Sequence, residues 1–172
     1  MSNDYEFVTE WRVAGTVEEV KDILGDTDVP SWWPAVYITV VEKEPGGEGG
    51  LGRVLDVYTK GWAPYTLRWT LRVSEPMTDS GYALEATGDL AGTGRWVFAQ
   101  DGPEVVITYY WRIHATKPLL RRLGWVLKPA FAANHRWAMK TGEESLRLEL
   151  RRRRAAAGGA GVGGVGGVGG PI

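Results

Sequence analysis

Cysteine is absent from all 172 residues of this chain. That excludes a disulfide framework, a thiolate metal site and a cysteine nucleophile together, and it fits a reducing interior. Histidine is scarce too. His114 and His135 are the only two, and they lack the i, i+4 spacing with which one helix presents a metal pair, so no metal site is expected. No stretch of about 20 apolar residues offers a membrane span, and Met1 to Glu10 carries acids where a signal peptide would carry its apolar segment. The reading is a cytoplasmic protein. With 44% hydrophobic and 24% charged residues, the chain is long enough for one domain with a sizeable core and too short for two.

What is abundant is tryptophan, nine residues against three Phe and three Met. Each indole buries a large flat surface and asks for a partner for its N–H. So many rings in a small protein serve either a core or the wall of a cavity for a flat apolar ligand. Charge is uneven although the net value is −1: Lys117 to Arg154 holds eleven Lys or Arg against three Glu. A basic helix there would be a solvated face with Arg151 to Arg154 at the negative end of the helix dipole, or would meet an anionic membrane surface or a partner. Aromatic residues do not interleave with these charges as a nucleic-acid groove requires, so no nucleic acid is expected. Oligomeric state leaves no mark.

Alternation dominates the first two thirds. Tyr5, Phe7, Thr9, Trp11 and Val13 fall on one face of a strand, with Glu6, Glu10 and Arg12 on the other. Thr16-Val17-Glu18-Glu19 is a capping box that starts a short helix closed by Gly25. Asp28 to Ser31 starts a second, which Pro34 ends. Strands then follow over Val36 to Glu44, Gly52 to Lys60, Tyr65 to Glu75, Tyr82 to Leu90, Arg95 to Gln100 and Val105 to Ala115. Their tight turns, including Gly61 to Pro64 and the glycines of Gly88 to Gly94, describe an antiparallel meander. Lys117-Pro118 opens a long last helix. Its stripe is Leu120, Leu123, Leu127, Phe131, Asn134, Ala138, Thr141, Ser145 and Leu148, with a break or kink expected at Lys128 before Pro129. Residues 155–172, a Gly/Ala/Val tract, read as a disordered tail, which leaves 1–154 as the domain.

Two motifs fail on context. Gly47 to Gly52 matches a dinucleotide fingerprint, but that chemistry needs a helix N-terminus immediately afterwards, and a strand follows here. Ser145 and His135 are nearly three turns apart and cannot form a nucleophile–base pair on one straight helix. No cofactor is expected. His135 and Tyr109 remain as candidates for acid–base work inside a pocket. The ligand-binding expectation falls on Trp11, Trp69, Trp96, Tyr109, Trp111, Phe131, Asn134 and Ala138, a wall of large rings faced by a helix with small polar residues.

The order of strand, two short helices, six strands and a terminal helix resembles the START-like superfamily, also called SRPBCC. Trp32-Trp33-Pro34, Gly92-Thr93-Gly94-Arg95-Trp96 with Tyr109-Tyr110-Trp111, and Pro129-Ala130-Phe131 with Asn134-His135 resemble its polyketide cyclase/dehydrase-like members. The resemblance covers roughly Asp4 to Arg152. It implies an α+β helix-grip fold, a curved antiparallel sheet of about seven strands around the C-terminal helix, holding an apolar polyketide, lipid or related metabolite. It transfers no catalytic set, so hydrophobic-ligand binding stands first, an aromatase/cyclase-type enzyme second, and a membrane-surface or partner-binding role of the basic helix third.

Overall fold

The computed structural model describes residues 4–116, 118, 122 and 124–160. Strand β1 (Asp4–Ala14) leads into helices α1 (Val17–Leu24) and α2 (Val29–Trp32). Strands β2 (Tyr37–Glu44), β3 (Val54–Lys60), β4 (Thr66–Thr78), β5 (Gly81–Gly88), β6 (Leu90–Asp101) and β7 (Glu104–Ala115) follow, and helix α3 (Gly124–Ala160) ends the fold. The seven strands form one antiparallel sheet in the order β1-β7-β6-β5-β4-β3-β2, so first and last strands pair while α1 and α2 bridge the ends. This is the helix-grip architecture.

Local chemistry explains each start. Thr16 Oγ1 accepts from the Glu19 amide at 3.3 Å, and the Glu19 carboxylate accepts from the Thr16 amide at 2.9 Å, which satisfies two orphan donors reciprocally. On β1 the alternation buries Tyr5, Trp11 and Val13, and on β7 it buries Val105, Ile107, Tyr109, Trp111 and Ile113. The glycine-rich loop before β3 contains only a single 3₁₀ turn, Glu48–Gly50. No helix follows it, as the strand reading required.

Three expectations need correction. The glycines Gly92 and Gly94 lie inside β6 rather than in a turn. Gly92 has φ 154°, and a Cβ there would stand 2.0 Å from the Arg112 carbonyl oxygen; at Gly94 it would meet Tyr109 Oη at 2.8 Å. Neighbouring backbone and rings occupy the space that a side chain would need. No break occurs at Lys128 either. The helix runs continuously through Pro129, whose missing N–H forgoes the bond to the carbonyl of residue 125. Finally, the buried stripe of α3 departs from the expected one after Ala138. Met139, Gly142, Leu146, Glu149 and Leu150 are buried, while Leu148 is 59% exposed. The expected members Leu120 and Leu123, the Lys117 start and residues 161–172 lie outside the described residues; α3 itself continues six residues past Arg154.

Glu149 is buried because its charge is met. Arg152 and Arg153 both donate to it at 2.7 Å, and Arg153 reaches on to Asp26 at 2.9 Å. Arg154 donates to Glu19 at 2.7 Å. Of the basic cluster, Arg153 and Arg154 thus tie the helix to the α1 region, while Arg152 bonds Glu149 of its own helix and stays exposed. The same helix covers the open edge of β1: Glu143 accepts from the Arg12 amide at 3.0 Å, and Arg147 donates to the Arg12 carbonyl at 2.8 Å. These side chains take the place of a missing neighbour strand.

Trp33, just after α2, packs directly against the last helix. Its indole donates to Thr141 Oγ1 at 3.2 Å, and a Cβ on Gly142 would lie 2.4 Å from the ring. Gly142→Ala adds about 1 kcal/mol of helix propensity, but overpacking against a buried ring costs about 1–3 kcal/mol. The expected net effect is a loss of about 1–2 kcal/mol in denaturant unfolding; an unchanged midpoint would mean that Trp33 is not fixed against the helix. Hydrogen bonding from Arg152, reinforced by Arg153, holds the Glu149 carboxyl at about 2. A depressed carboxylate contributes stability above its unfolded value near 4.5, lost as pH falls toward 2. Glu149→Gln should therefore be less stable at neutral pH and converge with the native chain in acid.

Candidate functional site

The sheet is concave toward α3, and between them lies a cavity of about 470 Å³. This is the size of a small-molecule pocket. Its wall is built from inward positions of all seven strands, with α2 contributing Trp32 and the following residue Trp33, and α3 contributing Phe131, Asn134, His135, Ala138 and Met139 as a roof.

The rings form a continuous belt. Tyr82, Trp96 and Tyr109 are cross-strand neighbours in one row of β5, β6 and β7. Tyr82 stacks on Trp96 with centroids 6.4 Å apart, and Trp96 on Tyr109 at 4.0 Å. From Tyr109 the belt continues to Trp111 at 5.6 Å and on to Trp69 at 5.9 Å. In the other direction it passes from Trp96 to Trp11, Trp33 and Tyr37 at 5.3, 5.7 and 5.1 Å. Gly94 makes the flat arrangement possible, since a side chain there would displace both Tyr109 and Trp111. Trp69 donates to Thr59 Oγ1 at 3.3 Å, so its buried N–H is satisfied.

Seven of the eight residues expected to bind ligand lie on this cavity: Trp69, Trp96, Tyr109, Trp111, Phe131, Asn134 and Ala138. Trp11 does not. It is 2% exposed and stands behind the lining, against Trp33 and Trp96. Both acid–base candidates, His135 and Tyr109, face the cavity, one from the roof and one from the sheet. The sequence reading missed Trp33, Tyr37, Tyr65 and Tyr82. The inward alternation of Tyr82 with Leu84 and Ala86 was the available signal for one of them.

Polar groups concentrate at the two ends. Beside α1, Lys21 pairs with Asp79 at 2.6 Å, Arg53 with Glu42 at 2.6 Å, and Asp26 with Arg153 at 2.9 Å. At the β3–β4 hairpin, Asn134 Oδ1 accepts from the Trp62 amide at 3.1 Å, and Tyr65 stacks on Phe131 at 5.8 Å. Among the described residues, Tyr65 Oη and His135 Nε2 are buried there without a hydrogen-bond partner. The His135 ring stacks on Phe7 at 4.1 Å.

The ringed part of the interior carries no charge near neutral pH. Burial raises the Tyr37 phenol to about 12, and raises Tyr82 and Tyr109 as well. Burial, with the positive charge of Arg136, lowers His135 to about 4. Removing water penalises the charged form of each group, so near neutral pH the cavity presents phenols and a neutral imidazole. Among the described residues no group of three or more His, Asp or Glu could hold a metal ion, and no helix is long and apolar enough to cross a membrane.

No protein-family model and no curated protein matches this sequence. Solved structures do match it in fold. The Zhui aromatase/cyclase from a Streptomyces species has a TM-score of 0.67 at 17% identity, covering 90% of this chain and 98% of its own. A protein from Thermus thermophilus has a TM-score of 0.66 at 16% identity, covering 84% of this chain and 99% of its own. A START superfamily protein from Mycobacterium smegmatis gives 0.64 at 13%, covering 86% and 97%. The chain shares the fold of these proteins, as the resemblance implied.

Neutral His135 has a measurable consequence. A histidine whose folded value is about 4 costs the folded state stability as pH falls below its unfolded value near 6.5. The loss reaches at most about 3 kcal/mol once pH is below about 4. Between pH 6.5 and about 4.5 this slope is separated from that of Glu149. His135→Phe should flatten stability in that window, and the His135 ring resonances should stay constant from about pH 8 to about 5.5. An inflection near pH 6.5 would show the imidazole to be solvated.

Proposed function

We propose that this protein binds a flat apolar small molecule, of polyketide, lipid or related type, in the cavity between sheet and α3. The observation that carries this reading is the aromatic belt around an open volume. The volume stays open between rings that are themselves packed tightly against glycine, at Gly142 and Gly94. Burying some 300 Å² of ligand surface at about 25 cal/mol per Å² supplies roughly 7 kcal/mol before the cost of association. Affinities near the micromolar range follow.

An enzymatic role of the aromatase/cyclase kind is the second reading. It is favoured by the unpartnered His135 Nε2 and by Tyr109 facing the same volume, and by the likeness in fold to an aromatase/cyclase. In that role the neutral imidazole would accept a proton and a phenol would donate one during enolisation of a ketone. His135→Ala and Tyr109→Phe would then abolish turnover while binding survives. A membrane-surface role of the Arg151 to Arg154 cluster is not proposed, because Arg153 and Arg154 are engaged with Asp26 and Glu19.

Titration with planar polycyclic compounds should quench or shift tryptophan emission, with saturation at micromolar concentrations. Ala138→Trp, which fills the roof, should weaken that binding by tenfold or more at unchanged fold. If no compound alters emission up to its solubility limit, the binding reading is wrong.

A further inference from the structure

We propose that the outer face of the first half of α3, with the tip of the β3–β4 hairpin beside it, is a docking surface for an anionic lipid bilayer. The proposal concerns the outside of the molecule and does not depend on what the cavity holds. Over this half the helix carries two apolar stripes. Phe131, His135, Ala138 and Met139 line the cavity. On the opposite side Val126, Ala130, Ala133 and Trp137 recur at helical spacing and form one row. Val126 is 51% exposed, and Ala130, Ala133 and Trp137 are half-buried, Trp137 with part of its ring on the core. The two borders of the row differ. Helical geometry puts Arg122, Arg136 and Lys140, all exposed, along one side. On the other side, at Asn134, stands the hairpin: the Trp62 amide donates to Asn134 Oδ1 at 3.1 Å, and the Trp62 side chain is 54% exposed. An indole held out on an anchored backbone, an apolar row and a line of cations make one amphipathic surface.

The cations of this face differ from those elsewhere on the fold. Arg12, Lys21, Arg53, Arg95 and Arg112 each face a carboxylate. Among the described residues Arg122, Arg136 and Lys140 face none. Nor does the sequence supply one along this stretch: from Lys117 to Gly142 there are six Lys or Arg and no Asp or Glu. The next acid, Glu143, is bonded to Arg12 and Arg147. A face of one sign without internal counter-charge is complementary to a surface that bears many negative charges. Trp62 and the apolar row narrow that surface to a bilayer. There an indole settles at headgroup level, Lys and Arg meet the phosphates and carboxylates of anionic lipids, and a shallow apolar row enters the acyl boundary. A soluble polyanion meets the cations but gives Trp62 and Val126 nothing to enter.

Cosedimentation of the full chain with lipid vesicles is the test. Vesicles of phosphatidylcholine with about 30% phosphatidylserine should capture the protein at low salt, pure phosphatidylcholine should not, and capture should fall as ionic strength rises. Arg136→Gln and Lys140→Gln should each weaken capture roughly fivefold, the contribution of one cation near the surface. Circular dichroism of both variants should match the native chain, since neither side chain is hydrogen-bonded within the described fold. Anionic vesicles that include phosphatidylcholine brominated on its acyl chains should quench tryptophan emission, and Trp62→Phe should lose most of that quenching. Absence of capture by the anionic vesicles at low salt overturns the proposal, as does capture that both Gln variants leave unchanged. Quenching that survives Trp62→Phe overturns it too. Retention on soluble polyglutamate as strong as on the vesicles assigns the face to an acidic partner and likewise overturns it. None of these outcomes bears on the cavity, which the titration with planar compounds tests separately.

Discussion

The contact between Trp33 and the Thr141–Gly142 step of α3 sets the geometry on which everything else depends. A helix packed against a sheet through ordinary side chains sits at a distance that those side chains fill. Here a glycine lets an indole ring lie against the helix backbone, and the indole N–H fixes its direction through Thr141. Trp33 in turn packs against Trp11 and Tyr37, so one ring joins the helix, the first strand and the edge strand. The cavity begins where this close contact ends. On the C-terminal side of Gly142 the interface is filled by Leu146 and Leu150. On the N-terminal side the residues over the sheet are Ala138, Asn134 and His135, which leave the volume open.

An open volume in a core is destabilising by itself, since lining groups forgo contacts on one side. The fold offsets this with the aromatic belt. Rings in stacked and tilted contact hold one another in place laterally, so the wall keeps its shape without a filling. The belt also decides the chemistry. A surface this apolar raises phenols and lowers an imidazole, so the ringed part of the cavity presents neutral donors and acceptors, while the ion pairs of Lys21, Arg53 and Asp26 stay at one end.

Much of the fold was legible in the sequence because its strands are half-buried. Period-two alternation in Tyr5 to Val13 and in Val105 to Ile113 states directly which face is inward, and the Thr16–Glu19 box marks a helix start by chemistry that needs no tertiary help. Depth is another matter. Trp96 and Trp11 have the same alternation and the same residue type, yet the first lines the cavity and the second stands behind it, because the turn after α2 lays Trp33 over Trp11. Nothing in a strand pattern encodes what a distant helix places on top. Gly92 and Gly94 misled for a related reason: their role is to vacate space for Arg112 backbone and for Tyr109 and Trp111, partners far off in sequence. The stripe of α3 failed at Leu148 and Glu149, where hydrophobicity alone chooses leucine. Arg152 and Arg153 complete the charge of Glu149, with Asp26 holding Arg153 in place, and make the carboxylate the buried member.

Among the described residues, the polar contacts of α3 are distributed unequally along its length. From Glu143 onward the helix is tied to β1, α1 and the α1–α2 connection by charged hydrogen bonds: Glu143 and Arg147 to the backbone of Arg12, Arg154 to Glu19, and Arg153 to Asp26. Several reach backbone groups of an edge strand that would otherwise lack partners, so breaking them leaves both sides unsatisfied. From Phe131 to Met139 the helix rests on ring contacts and on the hydrogen bond from the Trp62 amide to Asn134. Local opening free energy follows the density of such contacts. Among the described residues, the part of the helix over the cavity is therefore the part with fewer charged ties to the rest of the fold, and the hairpin carrying Gly61 and Trp62 is its counterpart. The close contact at Gly142 divides this part of the helix from the part packed on the core formed by Val20, Ile23, Leu146 and Leu150.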